Sequence, residues 1–230
     1  METRKLDINK ISILTPSRER PDRCLNFYNS VLETAKYPDN VELLFRIDND
    51  DPKLNDYIKN IKNLTIGDPI SISISWNEIA NKCTGNLLIM GNDDQLYETN
   101  NWDSILLDKV IKYKDEIYCA WFNDNLHQVR HCAFPIISRK WYNTLGYFSP
   151  GIFNFFYNDT WIFDIAKRLD RLEYIYEVSV PHYHWTRSRK MDNTTKRNSG
   201  SGKGALDGKI WNETEHRRIE EANKLRQVMA

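Results

Sequence analysis

Short apolar runs alternate with helical periodicities through the first half of the chain. Ile11–Pro16 and Val41–Ile47 predict two strands, and the first of them stops at a proline. Leu87–Met90 is apolar at every position, which indicates a central strand buried on both faces. Apolar residues at helical spacing predict helices from Pro21 onward, over Leu54–Ile61 and over Trp76–Cys83.

The second half mixes helices with shorter strands and aromatic loops. The patterns predict helices over Trp102–Val110 and Asp159–Leu169 and strands over Ile117–Phe122, Ala133–Ser138 and Tyr174–Val180. The alternating isoleucines of Ile70–Ile74 suggest a short extended segment. Residues 186–209 contain seven basic residues and four glycines, which predicts a long mobile loop before a final helix over Asn212–Val228.

The order of these elements indicates an α/β protein whose largely parallel sheet is covered by helices on both faces. The 230 residues are enough for one domain with a sizeable core. We expect residues 1–185 to form that domain, with a ligand-binding half at 10–95 and a second half at 96–185. Residues 186–230 then supply the basic loop and the last helix.

Composition and charge narrow the possible functions. Basic and acidic residues both number 32, which argues against duplex DNA binding through overall charge, although a local basic patch stays possible. No apolar run approaches the length of a membrane span, and the first residues do not resemble a signal peptide. The four cysteines form no CxxC pair, as expected for reduced thiols. We therefore expect a cytoplasmic protein.

Three polar clusters follow predicted strands, where the ligands of open parallel sheets bind. They are residues 15–20, residues 48–51 and residues 92–94. Asp, Asn and Pro also favour ordinary turns, so each cluster alone has a structural explanation. Their occurrence at successive strand ends favours a binding site.

Asp93 and Asp94 directly follow the buried strand, and two adjacent carboxylates attract a cation. Hard oxygen ligands suit Mg²⁺ or Mn²⁺ together with substrate phosphates, whereas a solvated turn is the alternative. His182 and His184 would point to one face of an extended segment and would favour Mn²⁺, unless they only pack there. Asp159 opens a helix, either as a favourable first-turn charge or as a general base.

Taken in order, these segments resemble GT-A-fold nucleotide-sugar glycosyltransferases of the broad family-2-like kind found in bacteria and phages. The resemblance rests on four segments, ISILTPSRER at 11–20, VELLFRIDNDD at 41–51, WNEIANKCTGNLLIMGNDD at 76–94 and residues 146–169. Two departures are visible: the usual DxD triplet reads Asn92-Asp93-Asp94, and the usual acidic pair before the late helix reads Asn158-Asp159.

The resemblance implies a Rossmann-like mixed sheet and a role for individual residues. It implies a nucleotide pocket formed by Thr15, Pro16, Arg18, Asp48 and Asn77, with Asp93 at the ribose and diphosphate. It further implies metal ligation by Asp94 with His182 or His184, and a general base at Asp159 in an inverting reaction.

The implied activity is transfer of a sugar from a nucleotide sugar, expected to be UDP-linked, to an acceptor hydroxyl with Mn²⁺ or Mg²⁺. Two alternatives stay open. One is a phage enzyme, located in the host cytoplasm, that glycosylates a hydroxylated DNA base. The other is a nucleotide- or glycan-binding module without catalysis, which the asparagines at positions 92 and 158 keep open.

Overall fold

A seven-stranded mixed sheet forms the centre of the computed structural model, which describes residues 10–184, 191–199 and 202–229. The strands lie in the order β3-β2-β1-β4-β6-β5-β7. The first four run parallel, β6 is antiparallel to both of its neighbours, and β5 and β7 are parallel. The strands are β1 (Ile11–Ser17), β2 (Val41–Asp48), β3 (Leu64–Gly67), β4 (Leu87–Met90), β5 (Cys119–Asn123), β6 (Ile136–Ser138) and β7 (Leu172–Ser179).

Helices cover both faces of this sheet. In the described residues they are α1 (Pro21–Thr34), α2 (Leu54–Asn60), α3 (Ile72–Ala80), α4 (Trp102–Val110), α5 (Arg139–Leu145), α6 (Asn158–Leu169), α7 (Asn193–Ser199), α8 (Lys203–Glu213) and α9 (Glu215–Val228). None of them is both long enough and apolar enough to cross a membrane.

Alternation along the central strands divides the core into two layers. Leu87 and Ile89 of β4 pack on the layer of α1 and α4, whereas Leu88 and Met90 pack on the layer of α3 and α6. Both sets are buried, because a central strand has a helix layer on each face. This confirms the predicted α/β class and the central position of β4.

The predicted extended segment at Ile70–Ile74 is wrong. The edge strand β3 lies earlier, at Leu64–Gly67, and α3 begins at Ile72. The Ser71 hydroxyl caps α3 by accepting the N–H of Ile74 at 3.3 Å. The alternation misled because Ser73 is fully buried while Ile74 is 45% exposed, which is the reverse of the orientation that a strand would need.

The predicted long loop at 186–209 is wrong where the structure describes it. Residues 193–199 form α7, and α8 starts at Lys203 rather than at the predicted helix start near Asn212. Residues 185–190 and 200–201, which hold the rest of that prediction, lie outside the described residues. Tertiary hydrogen bonds stabilise these polar helices, from Arg20 to Thr195 of α7 and from the loop before α6 to Asp207 of α8.

The C-terminal helix belongs to the main core. Ala222 and Leu225 of α9 are buried in the same cluster as Trp141 of α5 and Ile165 of α6. The chain end therefore stabilises the helix layer that carries Asp159 at the start of α6.

Candidate active site

A cavity of about 740 Å³ opens at the carboxyl ends of β1, β2 and β4. This volume is in the range of small-molecule sites. Residues from distant parts of the chain line it, including Arg18, Asp48, Asp94, Asp159, His182 and Arg197. The strand-end clusters predicted from the sequence therefore meet at one site.

A close approach of the Gly91 backbone to the Thr15 side chain precedes the acidic pair at this site. A Cβ atom on Gly91 would lie 2.3 Å from Oγ1 of Thr15, so β4 can leave the sheet there only with glycine. Thr15 itself is fully buried under this contact and does not line the cavity. Pro16, the next residue, does line it. Because the Thr15 side chain is not exposed, it cannot make the predicted contact with a nucleotide in the cavity.

Asp93 is fixed by protein partners. One of its oxygens accepts a hydrogen bond from Arg20 at 2.9 Å, and the other accepts one from Ser17 at 2.5 Å. Burial raises the pKa of Asp93, and the charge of Arg20 opposes this effect. Asp93 therefore anchors the end of β1 to the end of β4.

Asp94 has a different environment. Its Oδ2 atom lies 3.2 Å from Nε2 of His182, while its buried Oδ1 atom has no hydrogen-bond partner among the described residues. Burial tends to raise the pKa of Asp94, but the hydrogen bond and charge of His182 outweigh it and the pKa is lowered. His184 also lines the cavity, with its ring centre 5.0 Å from that of His182. A buried carboxylate oxygen without a donor beside two imidazoles is suited to a divalent cation.

Arginines hold Asp48 at the end of β2. Arg18 donates to Oδ2 of Asp48 at 2.9 Å, and the buried Arg46 donates to Oδ1. Arg18 also pairs with Asp50. The side chains of Arg18 and Asp48 are 16% and 14% exposed, so they stay accessible from the cavity.

Asn77 does not reach the cavity. Its amide oxygen accepts the backbone N–H groups of Phe148 and Ser149, both at 2.9 Å, and its nitrogen donates to the carbonyl of Ser149 at 2.7 Å. Asn158, which stands where the resemblance expects an acidic residue, is buried at the edge of the cavity and accepts a hydrogen bond from Ser149 at 2.7 Å. Both asparagines hold the aromatic loop in front of α6.

The basic segment covers one side of the cavity through Arg20. This guanidinium donates twice to Asp192 and once to Thr195, each at 2.8 Å, in addition to its bond with Asp93. Arg197 and Lys203 consequently line the cavity. Arg20 is thus the link between the acidic pair and α7.

Asp159 lies in the first turn of α6 and lines the same cavity. Its Oδ2 atom is 2.9 Å from Nε2 of His131, and both side chains are 27% exposed. Burial lowers the pKa of His131, but the hydrogen bond and charge of Asp159 outweigh it, so the pKa is raised. Helix α6 has no side-chain cap at its N-cap residue Tyr157, so Asp159 is not that cap.

Sequence reasoning missed Arg20, His127 and His131 as residues that line the cavity, and it missed the buried Asp124 that contacts His127. No local motif marks these positions, because the chain only returns there through the mixed strands β5 and β6. The sequence offered one signal for these residues, namely its few histidines. The chain has five, and four of them line the cavity.

Solved structures that match this arrangement of strands and helices include glycosyltransferases. A mannosyltransferase from Pyrobaculum calidifontis, in complex with GDP-Man and Mn²⁺, matches with a TM-score of 0.57 and 10% identity over 95% of this chain and 73% of that one. The chain has the GT-A fold. S. aureus TarS in complex with UDP matches with a TM-score of 0.55 and 10% identity over 74% of this chain and 59% of that one.

At 10% sequence identity, the similarity to these solved structures shows a shared fold only. No family model matches the sequence, and no curated protein matches it. The function must therefore be argued from the residues of this cavity.

Proposed function

We propose that the protein is a metal-dependent glycosyltransferase that moves a sugar from a nucleotide sugar to an acceptor hydroxyl. The observation that carries this proposal is Asp94, whose buried Oδ1 atom faces no donor in the described residues while Oδ2 meets His182 in a cavity rich in arginine. The GT-A fold supports the same reading, since its solved examples include complexes with GDP-Man and with UDP.

Asp94, with His182 or His184, would hold the cation. Imidazole ligands favour Mn²⁺ over Mg²⁺, which prefers oxygen. A divalent cation at these residues would neutralise charge on a diphosphate leaving group. Asp93 supports this site by orienting the end of β4 through its bonds to Arg20 and Ser17.

The donor nucleotide lies along the ends of β1 and β2. Pro16, Arg18 and Asp48 line the cavity there, and Arg18 and Asp48 present polar atoms that can contact a base and ribose. Arg197, whose guanidinium lies 3.9 Å from Asp48, and Lys203 add positive charge that a bound diphosphate would need. A UDP sugar stays our preferred donor, with a GDP sugar as the direct alternative.

Asp159 acts as general base. It lines the cavity together with Asp94, and its carboxylate is partly exposed, so an acceptor hydroxyl can reach it. The base removes the proton of that hydroxyl as the oxygen attacks the sugar carbon from the face opposite the diphosphate. The sugar carbon passes through an oxocarbenium-like state and leaves with inverted configuration.

Release of nucleoside diphosphate tests the proposal directly. The purified chain is incubated with labelled UDP- and GDP-sugars and a panel of acceptors, with Mn²⁺ or with a chelator. We expect transfer that requires the cation, is lost in Asp94→Asn and is retained in Asp108→Asn, an exposed aspartate of α4 that serves as control. Tight nucleotide binding without any turnover would instead indicate a binding module.

The acceptor panel also tests the phage alternative. That alternative requires the protein to transfer the sugar to a hydroxylated base in single-stranded DNA in preference to glycans and simple sugars. An inverted anomer in the product, read by NMR, is expected for either acceptor. A retained anomer would exclude single displacement by an oxygen that Asp159 activates.

A further inference from the structure

Histidines form one wall of the cavity at the ends of β5 and β7. The ring centre of His127 lies 5.6 Å from that of His131 and 6.4 Å from that of His182. Asp124 follows β5 directly and is buried, and its backbone carbonyl accepts the N–H of His182 at 3.0 Å. The side chains of Asp124, His127 and His182, which can all bind a metal ion, therefore meet where β5 and β7 end.

Asp124, His127 and His182 are close enough to share an ion. One ligand atom from each lies within 4.8 Å of the others. Oδ1 of Asp124 accepts the backbone N–H groups of Leu126, His127 and Gln128, which fixes the carboxylate in place. Its Oδ2 atom lies 2.7 Å from Nδ1 of His127. The side chain of His127 is 40% exposed, so it has room to adjust around a cation.

His182 supplies an independent sign of a ligand. Its Nε2 atom lies beside Asp94, whereas Nδ1 is buried and has no hydrogen-bond partner in the part of the chain that the structure describes. An unpaired buried nitrogen is costly. Histidines that bind metals typically hydrogen bond a carboxylate through one nitrogen and hold the ion with the other.

We propose that Asp124, His127 and His182 form a second metal site, distinct from the cation site at Asp94. The two ring nitrogens of His182 point in different directions, so an ion on Nδ1 is not the ion beside Asp94. Two nitrogens and one carboxylate suit Zn²⁺, and three protein ligands leave a fourth position open to the cavity. His184 is then the histidine that serves Asp94.

The site would join two elements that carry functional groups. An ion between His182 and the loop after β5 fixes the segment that leads to His131, which contacts Asp159. Metal uptake at these residues needs neither donor nor acceptor, so it is independent of glycosyl transfer.

Cobalt is the probe for the test, since tetrahedral Co²⁺ with nitrogen ligands absorbs visible light and substitutes for Zn²⁺. The metal-free full chain is titrated with Co²⁺ in the absence of nucleotide, and Zn²⁺ is then added in competition. We expect one equivalent of Co²⁺ with strong absorption bands that Zn²⁺ abolishes. His127→Ala should weaken this uptake roughly tenfold or more.

His131→Ala is the matched control, because it removes a histidine of the same wall that is not in the group of three. It should bind Co²⁺ as the unmodified chain does. No uptake by the unmodified chain, or equal uptake by His127→Ala, would overturn the proposal. Uptake that is lost in His184→Ala but kept in His127→Ala would also overturn it, since the ion would then sit at Asp94. None of these outcomes depends on whether sugar transfer is detected.

Discussion

Two adjacent aspartates show how strongly position decides the role of a residue. Asp93 has protein donors on both oxygens and acts as a structural anchor. Asp94, one residue later, keeps a buried oxygen without a donor in the described chain and meets His182. The direction in which the chain leaves β4 therefore gives two identical side chains different roles. Asp93 anchors the strand ends, and Asp94 is a candidate cation ligand.

Asp159→Asn tests the general base at the same scale. Asparagine keeps the size of the side chain but cannot take the proton, so turnover should fall by roughly 10²- to 10⁴-fold while donor affinity stays near its original value. Turnover on a verified acceptor and donor binding by calorimetry measure the two effects. Near-normal turnover would leave Asp159 as a helix-dipole charge only.

His131 predicts a pH dependence. Its pKa is raised from the ordinary 6.5, so the ion pair with Asp159 stabilises the fold below that value, and this contribution is lost as pH rises through the raised pKa. While the imidazolium holds Asp159, the carboxylate is not free to accept a proton. Turnover should therefore rise with pH, and His131→Asn should move this acidic limb to lower pH. The test is the pH dependence of kcat, measured for the unmodified protein and for His131→Asn. If the acidic limb of the two profiles lies at the same pH, His131 has no part in the chemistry.

At the scale of elements, polar residues of the C-terminal segment organise the front of the cavity. Asp207 of α8 is fully buried and accepts the backbone N–H groups of Asn154, Phe155 and Phe156, each at 2.9 Å. Together with Arg20 and Asp192 this contact converts a segment with little apolar content into packed structure.

Asp207→Ala leaves three partly buried backbone N–H groups of the aromatic loop without their acceptor. We expect a loss in the free energy of unfolding of roughly 1–3 kcal/mol or more, measured by urea denaturation. Asp164→Ala in α6 is not an equivalent control because Asp164 pairs with Arg168 and Arg218, whereas exposed Asp108→Ala should be nearly neutral. Equal stability of the Asp207 and Asp108 variants would contradict the role of Asp207.

At the scale of the whole molecule, the site joins the ends of the sheet to the last helices, so a ligand there should stabilise the entire fold. UDP or GDP should raise the Tm more with Mn²⁺ than without, because binding to the native state shifts the unfolding equilibrium. A saturation of about 100 times Kd corresponds to about 2.7 kcal/mol. Asp94→Asn should lose the Mn²⁺-dependent increment while its own Tm without ligand stays measurable. The same increment in the variant would place the cation elsewhere.

Much of the fold was predictable, because local apolar periodicity reports which faces are buried. Leu87–Met90 was recognised as a central strand, and the helices beginning at Pro21 and Trp102 were found at those residues. The alternation of Ile70–Ile74 mispredicts a strand, because the burial of Ser73 depends on its contact with Ser149, far along the chain. The helices at 193–199 and 203–209 also escape local pattern, because Arg20 bonds Thr195 and Asp207 bonds the aromatic loop through tertiary contacts.

The sequence by itself determined which chemical groups follow the strands, because polar residues after apolar runs fall at sheet ends in any α/β fold. It placed Arg18, Asp48 and Asp94 there, and the structure brings all three to one cavity. Only the tertiary structure decided that Thr15 is buried against Gly91, that Asn77 turns inward to hold the backbone of residues 148–149, and that His131 meets Asp159. Spacing along a chain fixes the face of an element, whereas the partner of a side chain depends on which distant segment packs against that face.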